Sequence, residues 1–330
     1  MKKLNVTLAI LVAAVMAGNA QTNTVNSDIV GYQSVTVPVG RSIFSAPFIL
    51  EEVAKGSVSA NTATQVDSSV GTITLPTSNQ YYMEILTGAY EGDRIDVDVT
   101  ATNAAQSANP GRIVLKSISY NSNTLTGSEI VGQRIAIRKH LTLSALNSLI
   151  SSGSFVANAT AANADQVLIY GATGFETYYY VSSANGWFKQ SPFGQAQTKV
   201  IPPGSAIMFV KKTAPVTLTG MGTVRTTKLQ LPMASGFQLV STGYPVDSAL
   251  SALNPNGTWT ANATAANADQ VLIYGATGFE TYYYVSSANG WFKQSPFGKS
   301  TNSVLSSSGG FLVKKRTADV NYAVASPVTN

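Results

Sequence analysis

The 330-residue chain has no cysteine and one histidine, His140. Disulfides, a thioether lipid anchor and thiolate metal sites are therefore excluded, and one imidazole cannot build a multi-histidine metal site. Charge is scarce as well. Asp, Glu, Lys and Arg make up 11% of the residues, against roughly 25% in ordinary soluble proteins. Basic residues are scattered, with Lys314-Lys315-Arg316 the densest run. A nucleic-acid surface would gather them on one element, so no nucleic-acid partner is expected. Ser, Thr, Asn and Gln take the place of charge, which gives a neutral surface with little repulsion between molecules and favours self-association.

Long apolar runs are also missing. Met1-Lys2-Lys3, the apolar stretch Leu8 to Ala17 and the small residues Gly18-Asn19-Ala20 form the pattern of a secretory signal. A bilayer-spanning helix needs about 20 apolar residues. Cleavage after Ala20 is expected, leaving no transmembrane segment and a chain exported to the cell surface, the extracellular space or the periplasm. Removing Lys2 and Lys3 lowers the formal charge from +5 to +3.

What is present, above all, is an exact repeat. The 38 residues from Ala157 to Gly194 recur unchanged as Ala261 to Gly298, at an offset of 104. That spacing is too long for a solenoid, whose period is about 20–50 residues, and implies duplication of a domain-sized unit. Turn, strand and exposed positions are all unchanged, so recent duplication or sequence exchange explains the identity better than functional constraint. At the same offset Ser144-Ala145-Leu146, Leu149, Gly153 and Phe155 align with Ser248-Ala249-Leu250, Leu253, Gly257 and Trp259. After a small length change, Phe209-Val210-Lys211-Lys212 aligns with Leu312-Val313-Lys314-Lys315.

Strand signals dominate. Ser34 to Val39, Thr72 to Leu75, Ile95 to Val99, Arg112 to Ile118 and Arg134 to Arg138 alternate or are β-branched, with Gly, Asn and Pro turns between them. Inside the repeat, Gln166 to Tyr170 and Glu176 to Val181 flank a turn at Gly171–Gly174, and Asn185-Gly186 leads into Trp187-Phe188-Lys189. Leu143 to Leu149 and Asp247 to Leu253 carry Leu and Ala at helical spacing, with Asp247 placed to cap the second. The expected fold is all-β: tandem small antiparallel sandwiches or barrels, each with one short helix. The boundaries drawn are 1–20 signal peptide, 21–131 N-terminal β-region, 132–224 first repeat domain and 225–330 second.

The aromatic hairpins are the leading candidate site. Tyr178 and Tyr180 share a strand face and Trp187 returns beside them, repeated as Tyr282, Tyr284 and Trp291. Such rings pack a core or stack on sugars, and solvent exposure decides between the two. A ligand bound here would occupy two equivalent sites. Asp165 and Glu176, repeated as Asp269 and Glu280, suggest a glycosidase pair. The hairpin register sets them about 13 Å apart, beyond the roughly 5–9.5 Å of paired catalytic carboxylates, so Asp165 is read as a turn residue. Glu91, Asp93, Asp96 and Asp98 lack calcium-loop spacing and read as a solvated strand edge. His140 reads as a surface or edge histidine, since no nucleophile elbow accompanies it. Gly298-Lys299-Ser300 lacks the leading glycine of a phosphate loop.

Several segments resemble a family of exported all-β proteins, uncharacterised in function, found in Verrucomicrobia and related bacteria. They are Val30-Gly31-Tyr32 with Val35-Thr36-Val37-Pro38, Tyr81 to Arg94, Thr177-Tyr178-Tyr179-Tyr180, and Ile201-Pro202-Pro203-Gly204 through Lys212. Gly236-Phe237-Gln238-Leu239-Val240 through Gly310-Phe311-Leu312-Val313-Lys314 is also similar to a β-module of bacterial surface proteins, with Gln238 and Leu312 departing from its pattern. The resemblance implies export and a surface context, and carries no activity, cofactor or catalytic residue with it. The reading is of an exported, non-enzymatic structural protein of the cell surface or extracellular matrix, self-associating. The alternative is a carbohydrate-binding protein that uses the duplicated hairpins on a surface polysaccharide. No cofactor or metal is expected.

Overall fold

The computed structural model describes residues 30–46, 52–119, 125–171, 173–183, 186–253, 259–285, 287, 290–300, 302–318, 323–324 and 326–327. The signal sequence, Asn185 and Gly257 lie outside them. The chain is all-β, built from antiparallel sheets and one closed barrel. Two strands come first, β1 (Val30–Val37) and β2 (Gly40–Phe44). Six more then close on themselves in the order β3-β4-β7-β6-β5-β8: β3 (Glu52–Asn61), β4 (Gln65–Ser68), β5 (Tyr81–Ile85), β6 (Arg94–Val97), β7 (Arg112–Ser119) and β8 (Arg134–Lys139). Closure leaves no free edge. Alternation sends Tyr81, Met83, Ile85, Ile95, Val97, Ile135 and Ile137 inward to fill the barrel. Their neighbours Tyr82, Glu84, Arg94, Asp96 and Arg138 point outward.

The first repeat continues through β9 (Leu141–Thr142), β10 (Ile150–Ser152), β11 (Gln166–Gly171), β12 (Gly174–Val181) and β13 (Gly186–Lys189). It ends with β14 (Gly194–Gln195), β15 (Val200–Ile201), β16 (Ile207–Lys211) and β17 (Val216–Thr223). Its six-stranded sheet runs β14-β13-β12-β11-β16-β2, and a second sheet runs β1-β17-β10. Val37, Val216 and Leu218 from the second sheet meet Val167, Ile169, Phe209 and Trp187 from the first in one core. Strands β1 and β2, expected in a separate N-terminal region, thus complete the first repeat. Strand β8, expected in that repeat, closes the barrel instead.

The second copy supplies β18 (Leu229–Gln230), β19 (Gly236–Val240), β20 (Ser248–Ala249), β21 (Gln270–Gly275) and β22 (Gly278–Val285). It then supplies β23 (Gly290–Lys293), β24 (Gly298–Lys299), β25 (Val304–Leu305), β26 (Phe311–Lys315) and β27 (Ala323–Val324). Its sheet β19-β26-β21-β22-β23-β24 repeats the first in order and register. Gly40 faces Lys211 as Gly236 faces Lys315, which sets β2 and β19 at an offset of 196 while the repeat proper keeps 104. Leu141 faces Ile201 as Ser248 faces Leu305, an offset of 107. The difference between 196 and 107 is 89 residues, present between β2 and β9 and absent between β19 and β20. The barrel is an insertion of that length into the first copy.

Of the flank alignments read from the sequence, Phe155 and Trp259 keep their match, each against the tryptophan of its own hairpin, while the segment around the leucines and the downstream strand shift. Leu143 and Leu146 correspond to Leu250 and Leu253, three residues from the expected match, because the buried leucines and their backbone bonds to Lys199 and Ser303 define the register. Downstream, Lys211 matches Lys315 with no length change.

The short helices differ in form. Helix α1 (Val99–Gln106), not expected, starts where Asp98 accepts the Ala101 amide at 2.9 Å and ends the strand expected to reach Val99. Helix α2 (Leu143–Ser148) is capped by Thr142. Its counterpart Leu250–Leu253 is a 3-10 turn, and Asp247 accepts the Ser307 amide instead of capping it. Thr72 to Leu75 is not a strand. Leu75 plugs the barrel while its amide and carbonyl bond the Asn103 side chain at 2.9 and 2.8 Å.

The copies face each other about an approximate two-fold axis. The Ser45 amide donates to Ser308 O at 2.9 Å, and the Ser241 amide donates to Gly204 O at 2.8 Å. The offsets of 196 and 104 convert one bond into the other. Ile43, Tyr170 and Ala206 of the first copy pack on Leu239, Leu272 and Leu312 of the second. Ile43 and Leu239 are counterparts across the axis, so the interface is isologous, as in a symmetric dimer. A Cβ on Gly310 would lie 2.2 Å from that of Ala206, its counterpart, so only glycine allows this approach.

Candidate functional site

The aromatic hairpins form with the expected register: Ile169 opposite Glu176, Tyr170 opposite Phe175, and Tyr180 opposite Trp187, each repeated 104 residues on. Their rings lie inside. Trp187 and Trp291 are 0% and 1% exposed, Tyr178 and Tyr282 are buried, and Tyr180 and Tyr284 are partly buried against the same cores. Trp187 meets Phe155 edge-on at 5.0 Å and donates from Nε1 to Asn147 at 3.2 Å. Trp291 meets Trp259 at 4.8 Å. The opposite strand face is covered too, since Tyr179 and Tyr283 pack into smaller clusters. By the exposure criterion these six rings are core, and they offer no row on which a sugar could stack.

Glu176 and Asp165 serve different partners. Glu176 pairs with Lys189 at 2.5 Å and Lys199 at 3.0 Å, and accepts the Tyr178 hydroxyl at 2.7 Å. The Lys189 hydrogen bond, the Tyr178 hydroxyl and Lys199 together hold its carboxyl down at about 2 against opposing burial. Burial and that same bond push the Tyr178 hydroxyl up. In the second copy Lys293 pairs with Glu280 at 2.7 Å, but Ser303 occupies the position of Lys199. Glu280 is lowered by Lys293 and Tyr282 alone. A carboxylate depressed in the folded state stabilises fully above its unfolded pKa near 4.5, and this contribution disappears as pH falls through the folded value. Carboxyl chemical shifts should therefore titrate below the ordinary range at both sites, with Glu176 below Glu280. Coincident midpoints near 4.5 would contradict the ion-pair assignment.

Asp165 is not a turn residue. It is fully buried, its Oδ2 contacts Lys211 Nζ and accepts the Val156 amide at 2.6 Å, and its Oδ1 accepts the Lys212 amide at 2.8 Å. Lys211 also donates to Ser154 O at 2.9 Å and lies 5.4 Å from the Phe155 ring. Asp269 repeats the arrangement with Lys315 at 2.6 Å and the amides of Thr260 and Arg316. Each ion pair pins the segment before β11 (or β21) to the end of β16 (or β26).

The acidic cluster and His140 depart most from expectation. Asp93 and Asp96 are buried rather than solvated, Asp98 caps α1, and Glu91 accepts the Lys228 amide at 3.3 Å. His140 is buried, its Nε2 lying 2.7 Å from Asp96 Oδ1 and its ring 4.8 Å from that of Tyr82. These groups belong to a charged junction on the outward face of β5, β6 and β8, which the paired copies cover. Glu84, 0% exposed, sits between Arg138 at 2.7 Å and Arg225 from the segment joining the copies. Arg94 donates to Pro203 O of the first copy at 2.7 Å and to Gln230 O of the second. Gly92, at φ +87°, brings its backbone so close to Lys228 O that a Cβ would lie 2.2 Å away.

Electrostatics bind the junction together. Burial alone would raise the Glu84 carboxyl, but the guanidiniums of Arg225, Arg138 and Arg94 outweigh it and hold the group below its ordinary value. Burial and Arg225 lower Arg94 to about 10, and burial raises Tyr82 to about 12. No group of three or more metal-ligating side chains occurs among the described residues, and no described helix is long and apolar enough to cross a membrane. Between the copies lies an open cleft of about 320 Å³, lined by Tyr170 and Phe237 among others. Comparison with protein-family models, curated proteins and solved structures finds no match.

Proposed function

We propose that this chain is an exported, non-enzymatic structural protein of the cell surface or extracellular matrix, which associates with further copies of itself. The observation that carries the reading is where its ionisable groups are spent. Arg94 and the Glu84–Arg225 pair join the barrel to the copies, Arg138 and the buried His140–Asp96 pair brace the same face, and two buried Asp–Lys pairs join strands within copies. Catalysis would need such groups in a cleft that substrate can enter. Here they fasten one part of the chain to another.

Self-association is supported by β1. It is an eight-residue strand at the end of its sheet, paired among described residues with β17 alone. It carries no charge, and Tyr32 and its cross-strand neighbour Met221 are 67% and 71% exposed. A long uncharged edge of this kind templates pairing with another chain. Sedimentation velocity on the mature chain should show mass rising with concentration, and Tyr32→Lys should suppress the rise. Fractionated native cells should hold the chain outside the cytoplasm with its N-terminus at Gln21. A cytoplasmic chain retaining Met1, or a strictly monomeric one, would refute the corresponding half of the proposal.

A further inference from the structure

The isologous interface gives both sides of the two-fold axis the same backbone frame, but the side chains differ sharply. Phe237 stands where the other side has Arg41, and Pro232 where it has Thr36. Pro202 and Pro203 face the cleft where the counterpart residues are Ser306 and Ser307. Tyr170 and Gly171 are matched, by Tyr274 and Gly275. One of two equivalent positions therefore has an aromatic ring and three prolines where the other has Arg41, Thr36 and two serines.

We propose that this cleft is a single binding site for a neutral glycan chain. No Asp, Glu, Lys, Arg or His lines it, and the cation beside it, Lys314, packs over the Phe237 ring, so the lining itself offers a charged ligand no ion pair. Phe237 is 37% exposed, and Lys314 lies 5.0 Å over its ring. Tyr170 is held in place by Phe175, edge-on at 4.9 Å. Flat apolar faces with polar groups around them suit the C–H face and equatorial hydroxyls of a pyranose ring. Ser205, Ser235 and Gln238 supply the hydroxyls and the amide. The volume sits at the low end of the roughly 300–1,000 Å³ range of small-molecule sites, enough for a short stretch of a chain whose remainder leaves through the open mouth. The walls are also rigid: the Ser205–Val240 bridge and the bond from the Ala206 amide to Leu239 O, 3.3 Å, tie the copies together at the cleft's edge. Such a site would hold the scaffold to polysaccharide, and it stands whether or not the chain self-associates through β1.

The test is calorimetric titration of the full mature chain with cellohexaose, xylohexaose and the hexamer of N-acetylglucosamine, with decaproline as a peptide probe. At least one hexasaccharide should bind with one site per chain. Phe237→Ala should weaken it about tenfold, the loss of one aromatic stacking face. Phe237→Tyr should retain binding, and so should Phe193→Ala, which removes an exposed ring elsewhere. Because Phe237 lies at the surface, its variants are expected to melt like the wild type, and a melt checks this. Absence of saturable binding by all three sugars, two sites per chain, binding indifferent to a folded Phe237→Ala variant, or preference for decaproline would each overturn the proposal. Failure here leaves the structural reading intact, because that reading is tested by location and sedimentation.

Discussion

Lys211→Met is expected to cost about 3–5 kcal/mol of stability, because it leaves the Asp165 carboxylate buried without its cation. Lys315→Met should do the same to the second copy through Asp269. A simple buried ion pair is often replaced without loss when both partners become apolar. This one is not simple, since Asp165 also accepts the amides of Val156 and Lys212. The double variant Lys211→Met with Asp165→Leu should therefore recover only part of the loss, as two buried N–H groups lose their acceptor. Urea unfolding of the single and double variants measures both effects. A single variant as stable as the wild type would show that the pair is solvated, and full recovery in the double would show that the amides find other partners.

The junction is expected to be equally sensitive. Glu84→Leu removes the carboxylate that lies between Arg138 and Arg225 and leaves guanidiniums facing one another in a buried site. A loss of about 3–5 kcal/mol is expected, concentrated where the barrel meets the copies. Arg225 is 3% exposed, so trypsin should spare it in the wild type. In Glu84→Leu the joining segment should open and be cut after Arg225 and Lys228 well before either copy or the barrel is digested. Unchanged stability together with unchanged cleavage would mean that the junction does not hold the barrel in place.

These groups show why the sequence was legible in some places and opaque in others. Hairpin register was readable because it is local: the turn between Tyr170 and Phe175 determines every pair along β11 and β12. The membership of β1 and β2 was not, because their partners β17 and β16 lie beyond an 89-residue insertion. Glu84, Arg94, Asp96 and Arg138 alternate with barrel-filling residues, and in sequence such a pattern is the same for a solvated face and for one covered by another part of the chain. The burial of His140 follows from that same covering. The exact repeat pointed to equivalent sites in each copy, yet the candidate cleft is formed largely by residues outside it: Pro202, Pro203, Pro232 and Phe237.

The central claim is that two copies of one unit pair about a two-fold axis, with the barrel inserted into the first. The amides of Ser45 and Ser241 test it most directly. Each lies just past the end of its strand, and among the described residues each donates to a carbonyl of the other copy, Ser308 O for Ser45 and Gly204 O for Ser241. Hydrogen exchange followed by NMR, at concentrations where the chain is monomeric, should find both amides slow and protected to a similar degree. Exchange of both at the rate of an open loop would mean that the copies do not pair, and the account would fail.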